Sequence, residues 1–460
     1  MKILSWKTFS LFGVTFERGL STNQYLSKFL FFFSIFLIAF PFVFYRGVAT
    51  ITITEVSFSL VFLAWFNNAV RSPSKKIELI PLFIPIIFFL LSCLLSTFNA
   101  QGKLIALRET FQFIFLFVIY YLIFQLVKEN GGYISKILII SILAGLVVSA
   151  IGLYQYRFTN ELVPFRISES RLRAYATFGQ PNAFGSYMIG LIPLSIGFYN
   201  FNDQNRWKIA VLASLFIFSL SLFATFSRGS WIGLVIGIGL MIFIVRKHLA
   251  KKSFLLPVFT ILLAAAFILG DTYHTSVTKP ETKPGTKLGT KPALRPIFRH
   301  DFSDPQRFLL AKNALAMIID HPLLGVGPGN YSVLLPHYAS KELMENAQMD
   351  YDLQKHEWFV NPNKEVDVHN VVLQVSAETG LIGLTIFLCL LYAYYKTSLK
   401  LLKLCKLPKN KKEYSIRAGL IGSFTAIMAG GLFGWPFCHG AQEFFVLSMA
   451  LSTSPWRIDI

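Results

Sequence analysis

Cysteine is scarce in this chain. The four present, Cys93, Cys389, Cys405 and Cys438, fall mostly inside apolar runs and show no metal-ligand spacing, which leaves out a disulfide framework and a zinc site. Charge is sparse as well, since charged residues make up 15% of the sequence against about 25% in soluble domains. Acidic residues are the rarer sign, 24 against 43 basic, for a formal net charge of +19. The first apolar run lacks a small-residue cleavage site and is too long for a signal-peptide core, so it reads as an uncleaved first span. Together these shortages exclude a soluble globular protein.

What is abundant is apolar surface: 54% hydrophobic residues, 47 phenylalanines and a mean hydropathy of +0.55. Apolar runs recur near residues 29–45, 48–66, 79–98, 109–127, 137–156, 184–200, 208–226, 229–245, 253–270, 370–395, 415–435 and 437–454. Their length, about 17 to 25 residues, is that of a membrane-crossing helix. The fold class that follows is an all-α polytopic membrane protein with about 12 transmembrane helices and one large loop outside the membrane between helices 9 and 10. The chain divides into a cytoplasmic N-terminal segment, 1–28; a bundle of about nine helices, 29–270; the large loop, 271–368; and three C-terminal transmembrane helices, 369–460. The softest divisions fall near Arg46, at Arg228 and near Trp435, where few residues separate neighbouring runs.

Orientation follows from the basic residues. With both termini cytoplasmic, the short inner segments hold 24 of them and the short outer ones only 8, namely Arg46, Lys103, Arg108, Arg157, Arg166, Arg171, Arg173 and Arg228, as the positive-inside rule asks. The large loop's 11 are left out of the comparison, because long loops translocate largely regardless of charge. The positive charge therefore reflects topology and contact with membrane lipids, and gives no case for nucleic acid. The outer cations gather at Arg157 to Arg173 and at Arg228, and such exceptions to the rule suit an anionic partner.

The large loop opens with a repeat of Thr-Lys-Pro type, from Thr278-Lys279-Pro280-Glu281 to Thr290-Lys291-Pro292-Ala293. A sequence of that kind buries no core and predicts an extended, solvated tether. Ser303-Asp304-Pro305-Gln306 then reads as a helix start, with a polar cap and a proline in the first turn. The helix is expected to run to about Asp320, with Phe308, Leu309, Ala311, Leu315, Ile318 and Ile319 as its apolar stripe and Arg307 near the cap. That stripe suits docking on the outer bundle surface or lying in the lipid interface. His321-Pro322 closes the helix, and Gly325-Val326-Gly327-Pro328-Gly329-Asn330 predicts a tight turn.

Where the loop re-enters the membrane stand His369-Asn370, nine further residues, then Gly380-Leu381-Ile382-Gly383. On a continuous helix Gly380 falls on nearly the same face as His369, and the two glycines would let a neighbouring helix approach closely. From the residues alone, an interfacial histidine above a glycine packing pair and a titratable base at the mouth of a span are both open. Ser227-Arg228-Gly229 is likewise an interfacial anchor or an anion site. A third stretch, Arg171 to Gly185, is basic and aromatic and includes Gln180-Pro181-Asn182; Arg173 there either snorkels or contacts a phosphate.

These three elements resemble the O-antigen ligase and polymerase family, lipid-linked glycan transferases of the bacterial inner membrane. The histidine, asparagine and two glycines match every fixed position of the family's motif, and Ala377-Glu378-Thr379-Gly380-Leu381-Ile382-Gly383 looks like its usual form. The Ser-Arg-Gly hairpin resembles the ligases' outer arginine. Arg307 resembles the arginine that precedes the Pro-Leu-Leu-Gly-Val-Gly turn. Gln180-Pro181-Asn182 stands where the family usually has asparagine-proline-asparagine. The likeness covers about Arg171 to Leu384; earlier residues join it only through topology.

The resemblance implies a periplasmic loop, a periplasmic active site, and transfer of a glycan from undecaprenyl diphosphate to a hydroxyl of lipid A core oligosaccharide. It implies His369 as catalytic base and Arg228, Arg307 and Arg173 as diphosphate ligands. Asn370, Gly380, Gly383 and Asn182 are its supporting residues. No metal and no cofactor are expected, because fixed cations can stabilise a departing diphosphate. Arginine is permanently charged and holds two oxygens at once; at about 4 Å and an effective dielectric of 20, one such contact is on the order of 4 kcal/mol before desolvation. Histidine, with a reference pKa of about 6.5, accepts a proton near neutral pH. The same residues admit a polymerase with a second lipid-linked glycan as acceptor, or a protein O-oligosaccharyltransferase. A transporter or flippase would instead show two related halves about a central cytoplasmic loop. Asp350-Tyr351-Asp352 imitates a metal-binding aspartate pair but lies in the outer loop; Glu378 and Glu55 fall within spans and call for a polar partner, and Glu378 reads as structural.

Overall fold

The computed structural model describes residues 10–11, 14–15, 22–46, 49–71, 79–158, 166–168, 171–201, 203–246, 252–278, 303–339, 350–352, 357–359, 366–405, 410–437 and 440–456. Its helices are α1 Thr22–Leu37, α2 Ile53–Arg71, α3 Phe83–Ser96, α4 Lys103–Glu129, α5 Tyr133–Phe158, α6 Pro181–Phe201, α7 Asn205–Ala224, α8 Arg228–Val245, α9 Lys252–Thr278, α10 Ser303–Asp320, α11 Asn330–Tyr338, α12 Val371–Leu404, α13 Lys411–Gly430 and α14 Ala441–Thr453. Every apolar run of the sequence contains one of them, and α10 and α11 belong to the large loop. Among the described residues, strands occur only as short two-stranded antiparallel ladders such as Val43–Arg46 with Ala49–Thr52.

Among the described residues, 5 helices are long and apolar enough to cross a membrane: α4, α5, α7, α8 and α12. The others are shorter or less apolar: α14 has only 13 residues, and for α6 and α13 the reason is position. These three are almost wholly buried among other helices, so small residues replace the lipid-facing leucines and phenylalanines of the periphery. Gly197 of α6 lies against Gly419 of α13, where an added Cβ would sit 3.1 Å from the opposing Cα. Gly233 and Gly237 of α8 meet Ala426, Gly430 and Gly422 of α13 in the same manner. Hydroxyl pairs add polar links between helices, Ser423 to Ser448 at 3.0 Å and Tyr120 to Thr453 at 2.8 Å.

One end of the bundle is locked by a buried cation. Arg417, 2% exposed, donates from Nε to Glu413 at 2.9 Å and to the carbonyls of Ser454 and Trp456 at 3.2 and 2.8 Å. Its guanidinium also lies 4.0 Å over the Trp456 ring. Removing it strands the buried Glu413 carboxylate, a change that typically costs about 3–5 kcal/mol. Arg417→Ala is therefore expected to lower the melting temperature in detergent markedly, and a midpoint within about 2 °C of the parent would show that the clasp contributes little.

Several sequence expectations are corrected. The first helix ends at Leu37, and residues 43–46 of that run pair with 49–52 as a ladder, because Pro41 interrupts the helical hydrogen bonds. Helix α9 runs on to Thr278, past the boundary drawn at residue 270. The Thr-Lys-Pro tether beyond it lies outside the described residues. Helix α10 has its expected bounds but a different buried face: Leu310, Ala314 and Met317 pack on Val326, Tyr331, Leu334, Leu335, Val368 and Ala377. Leu309, Ala311 and Ile318 flank that core, while Phe308 and Ile319 are 72% and 76% exposed. The face is set by α11 and the re-entry segment, partners that helical periodicity does not register.

Candidate functional site

The end of the bundle opposite Arg417 collects every residue that the motifs singled out, and its organising feature is a break in α12. Gly380 has φ 66° and ψ −174°, so α12 is a short helix, Val371–Thr379, followed by a separate long one from Leu381. Gly380 therefore does not present a smooth face to a neighbouring helix, as the continuous-helix reading held. It admits a turn: an added Cβ would overlap the Leu323 carbonyl. The backbone groups freed by the break find partners in that turn. Val326 N–H donates to Ala377 O at 2.9 Å and Gly327 N–H to Glu378 O at 2.8 Å, while Leu381 N–H donates to Pro322 O at 2.8 Å. Buried backbone groups in an apolar surrounding need such partners. Gly383 does face another helix, its added Cβ lying 3.4 Å from Ser92 Oγ of α3.

The inserted turn is fixed on its other side by the segment between α3 and α4. Asn330 Oδ1 accepts from Gly102 N–H at 2.7 Å, and Asn99 Nδ2 donates to Gly325 O at 3.1 Å. Glu378 is an internal acceptor, bonded by Gln374 Nε2 at 2.7 Å and by the backbone of Gly329 and Tyr331. This agrees with its reading as structural. Burial, with the nearby Asp367 and Glu378 carboxylates, drives the Tyr331 phenol well above its ordinary pKa. It remains a donor, to Leu310 O at 2.9 Å.

His369 precedes the short helix in a left-handed backbone conformation, φ 56°. Asp367 Oδ1 lies 2.7 Å from its Nδ1 and accepts its backbone N–H, also at 2.7 Å. The imidazole is 31% exposed. Asn370 caps the helix, its Oδ1 accepting from Val372 and Leu373 N–H, and its Nδ2 donates to Leu432 O at 3.1 Å. Val371 N–H in turn donates to Gly431 O at 2.8 Å.

The arginines reach the same place from elsewhere in the chain. Arg307 Nη1 donates to Phe433 O at 3.3 Å. Arg228 is exposed at the first residue of α8, and its neighbour Gly229 packs so closely on Phe433 that an added Cβ would come within 2.6 Å of it. Arg173 is one step behind: Nε donates to Thr225 O at 2.7 Å and Nη2 to Asn182 Oδ1 at 3.2 Å. It braces the hairpin that presents Arg228. Residues 431–433, between α13 and α14, thus touch the segments that carry His369, Arg228 and Arg307. Among the described residues three non-glycines have positive φ, Ala176, Phe226 and His369; the last is a named site residue, and Phe226 lies two residues before Arg228. Such conformations cost about 1–3 kcal/mol and gather at functional sites.

The turn at 431–433 and the Asp367 carboxylate were not anticipated. The first has a signal in the glycine-rich run Gly430-Gly431-Leu432-Phe433-Gly434, beside the division between spans near Trp435. The second had only its spacing, two residues before the histidine. No group of three or more His, Cys, Asp or Glu side chains placed to hold a metal ion occurs among the described residues.

Comparison with known proteins finds a likeness over this part of the chain. Residues 213–388 match the family described as O-antigen ligase, a segment that holds Arg228, Arg307, His369, Asn370, Gly380 and Gly383. The match covers less than half of the chain, and Arg173 and Asn182 lie before it. A candidate polysaccharide ligase of Rickettsia conorii is 27% identical over 170 residues, 37% of this chain and 35% of that protein. Another, of Rickettsia prowazekii, is 37% identical over 83 residues, 17% of this chain. The matched parts span only 35% and 16% of the two relatives' lengths.

Proposed function

We propose that the chain is a ligase-type glycosyltransferase of the bacterial inner membrane, which moves a glycan from undecaprenyl diphosphate to a hydroxyl of lipid A core oligosaccharide. The observation that supports this best is the meeting of the His369, Arg228 and Arg307 segments on the turn at residues 431–433. In this reading the bundle has about twelve spans, the loop at 271–368 is periplasmic, and both termini are cytoplasmic.

The acceptor hydroxyl gives its proton to His369 Nε2 as its oxygen bonds to the anomeric carbon of the donor sugar. The bond from that carbon to the diphosphate oxygen breaks, and its electron pair leaves on the diphosphate. Arg228 and Arg307 neutralise the charge that grows there, with Arg173 supporting them. Placement favours an anion at Arg228 in particular. A cation at the first residue of a helix opposes the helix dipole, and Ser227 supplies no side-chain cap to the α8 amides. An anion lodged there would meet both the charge of Arg228 and the amides of the helix end.

Arg228→Gln tests the phosphate contact. Losing one charge-assisted contact of about 1.5–3 kcal/mol is expected to weaken binding of geranylgeranyl diphosphate to the detergent-solubilised protein by about tenfold to a hundredfold. Equal affinity would remove Arg228 from the diphosphate site. The acceptor is identified by deleting the gene: unattached long chains left on the carrier lipid correspond to a ligase, and single repeat units to a polymerase.

A further inference from the structure

We infer that Asp367 is a positioning residue for His369, setting which ring nitrogen is free to receive the acceptor proton; this rests on the proposed role of His369 as base. The short contact between Asp367 Oδ1 and His369 Nδ1, 2.7 Å, is made by an oxygen that also accepts the His369 backbone N–H at 2.7 Å. An ionised carboxylate only accepts hydrogen bonds. Nδ1 must therefore carry the proton, and the lone pair is left on Nε2. The second bond ties the same oxygen to the left-handed backbone of His369. Ring and main chain are thus held by one atom.

The backbone between the two residues is held in place by the next turn of chain. Val368 N–H, between the two residues, donates to Gln374 Oε1 at 2.8 Å, and Gln374 Nε2 donates to Glu378 at 2.7 Å. Glu378 accepts from the backbone of the inserted turn. Asp367 is 24% exposed and lies near enough to stabilise the imidazolium formed when Nε2 takes the proton. During transfer the acceptor proton moves to Nε2, Nδ1–H stays bonded to Asp367, and the Nε2 proton afterwards passes to solvent. The pattern of a carboxylate fixing the tautomer of a histidine base is a general one.

The test compares Asp367→Asn, Asp367→Glu and His369→Asn in the full-length chain, using donor lipid and acceptor extracted from cells lacking the gene. Membrane abundance and melting temperature are followed for each variant. An asparagine at 367 can donate to Nδ1 and so admit the wrong tautomer. Asp367→Asn is expected to lower kcat by about tenfold to a thousandfold with KM within about threefold, and Asp367→Glu to recover part of the loss. Full activity in Asp367→Asn beside an inactive His369→Asn overturns this inference and leaves the proposed base intact. A loss confined to KM, or one matched by loss of folded protein in both Asp367 variants, makes the residue structural and also overturns it. An active His369→Asn overturns the base assignment, and the role of Asp367 with it.

Discussion

Gly380→Ala is expected to remove the chain from the membrane. Its φ of 66° with ψ of −174° lies in a region that is essentially glycine's alone, where a side chain costs about 1–3 kcal/mol in backbone strain. The added methyl group would also overlap the Leu323 carbonyl and lie 2.7 Å from Leu324 N, so the inserted turn must back out. Expelling it strands the partners of Val326, Gly327 and Leu381, and each unmade buried bond costs about 1–3 kcal/mol. The total is about 5 kcal/mol or more, a large part of the stability of a domain. Membrane abundance and the rate of proteolysis in the large loop are the measurements. Gly239→Ala is the control, since it lies within α8 with nothing inside 4 Å of an added Cβ. Abundance and protease resistance in Gly380→Ala equal to those of the control would falsify the account of the break.

His369→Asn is expected to leave the protein folded and to lower turnover by about a hundredfold to ten-thousandfold, the usual contribution of a positioned base. Asparagine is chosen because it tolerates the left-handed conformation that His369 adopts at φ 56°. The backbone and its bond to Asp367 are then kept, and only the proton acceptor is lost. Alanine in the same place combines the chemical loss with a strained backbone of about 1–2 kcal/mol, so it is the less informative variant. Turnover in His369→Asn within tenfold of the parent, at equal membrane abundance, would mean that the acceptor loses its proton elsewhere.

Legibility differed from element to element for physical reasons. Helix α10 was placed at Ser303–Asp320 from its polar cap, its proline and its terminating His321-Pro322, because capping signals are local. The face it buries was misjudged, since Leu310, Ala314 and Met317 are chosen by α11 and Val368. The His369–Gly383 motif was visible as spacing, but the spacing was interpreted on a continuous helix. A glycine at φ 66° and an ordinary helical glycine are identical in sequence. The interior helices α6, α13 and α14 carry enough glycine and serine to look like weak spans, a composition that follows from facing other helices.

The multi-pass membrane class is legible in the sequence alone, because span length is imposed by bilayer thickness and apolar runs of that length recur along the chain. The sequence also determined the residues worth testing, through motifs that resemble a known family. Only the tertiary structure decided how α12 is broken, which turn fills the break, and that residues 431–433 gather segments carrying Arg228, Arg307 and His369. Those features are hydrogen bonds and close contacts between segments tens to hundreds of residues apart. Local periodicity records which face of a helix is apolar, and holds no term for the distant backbone that will meet it.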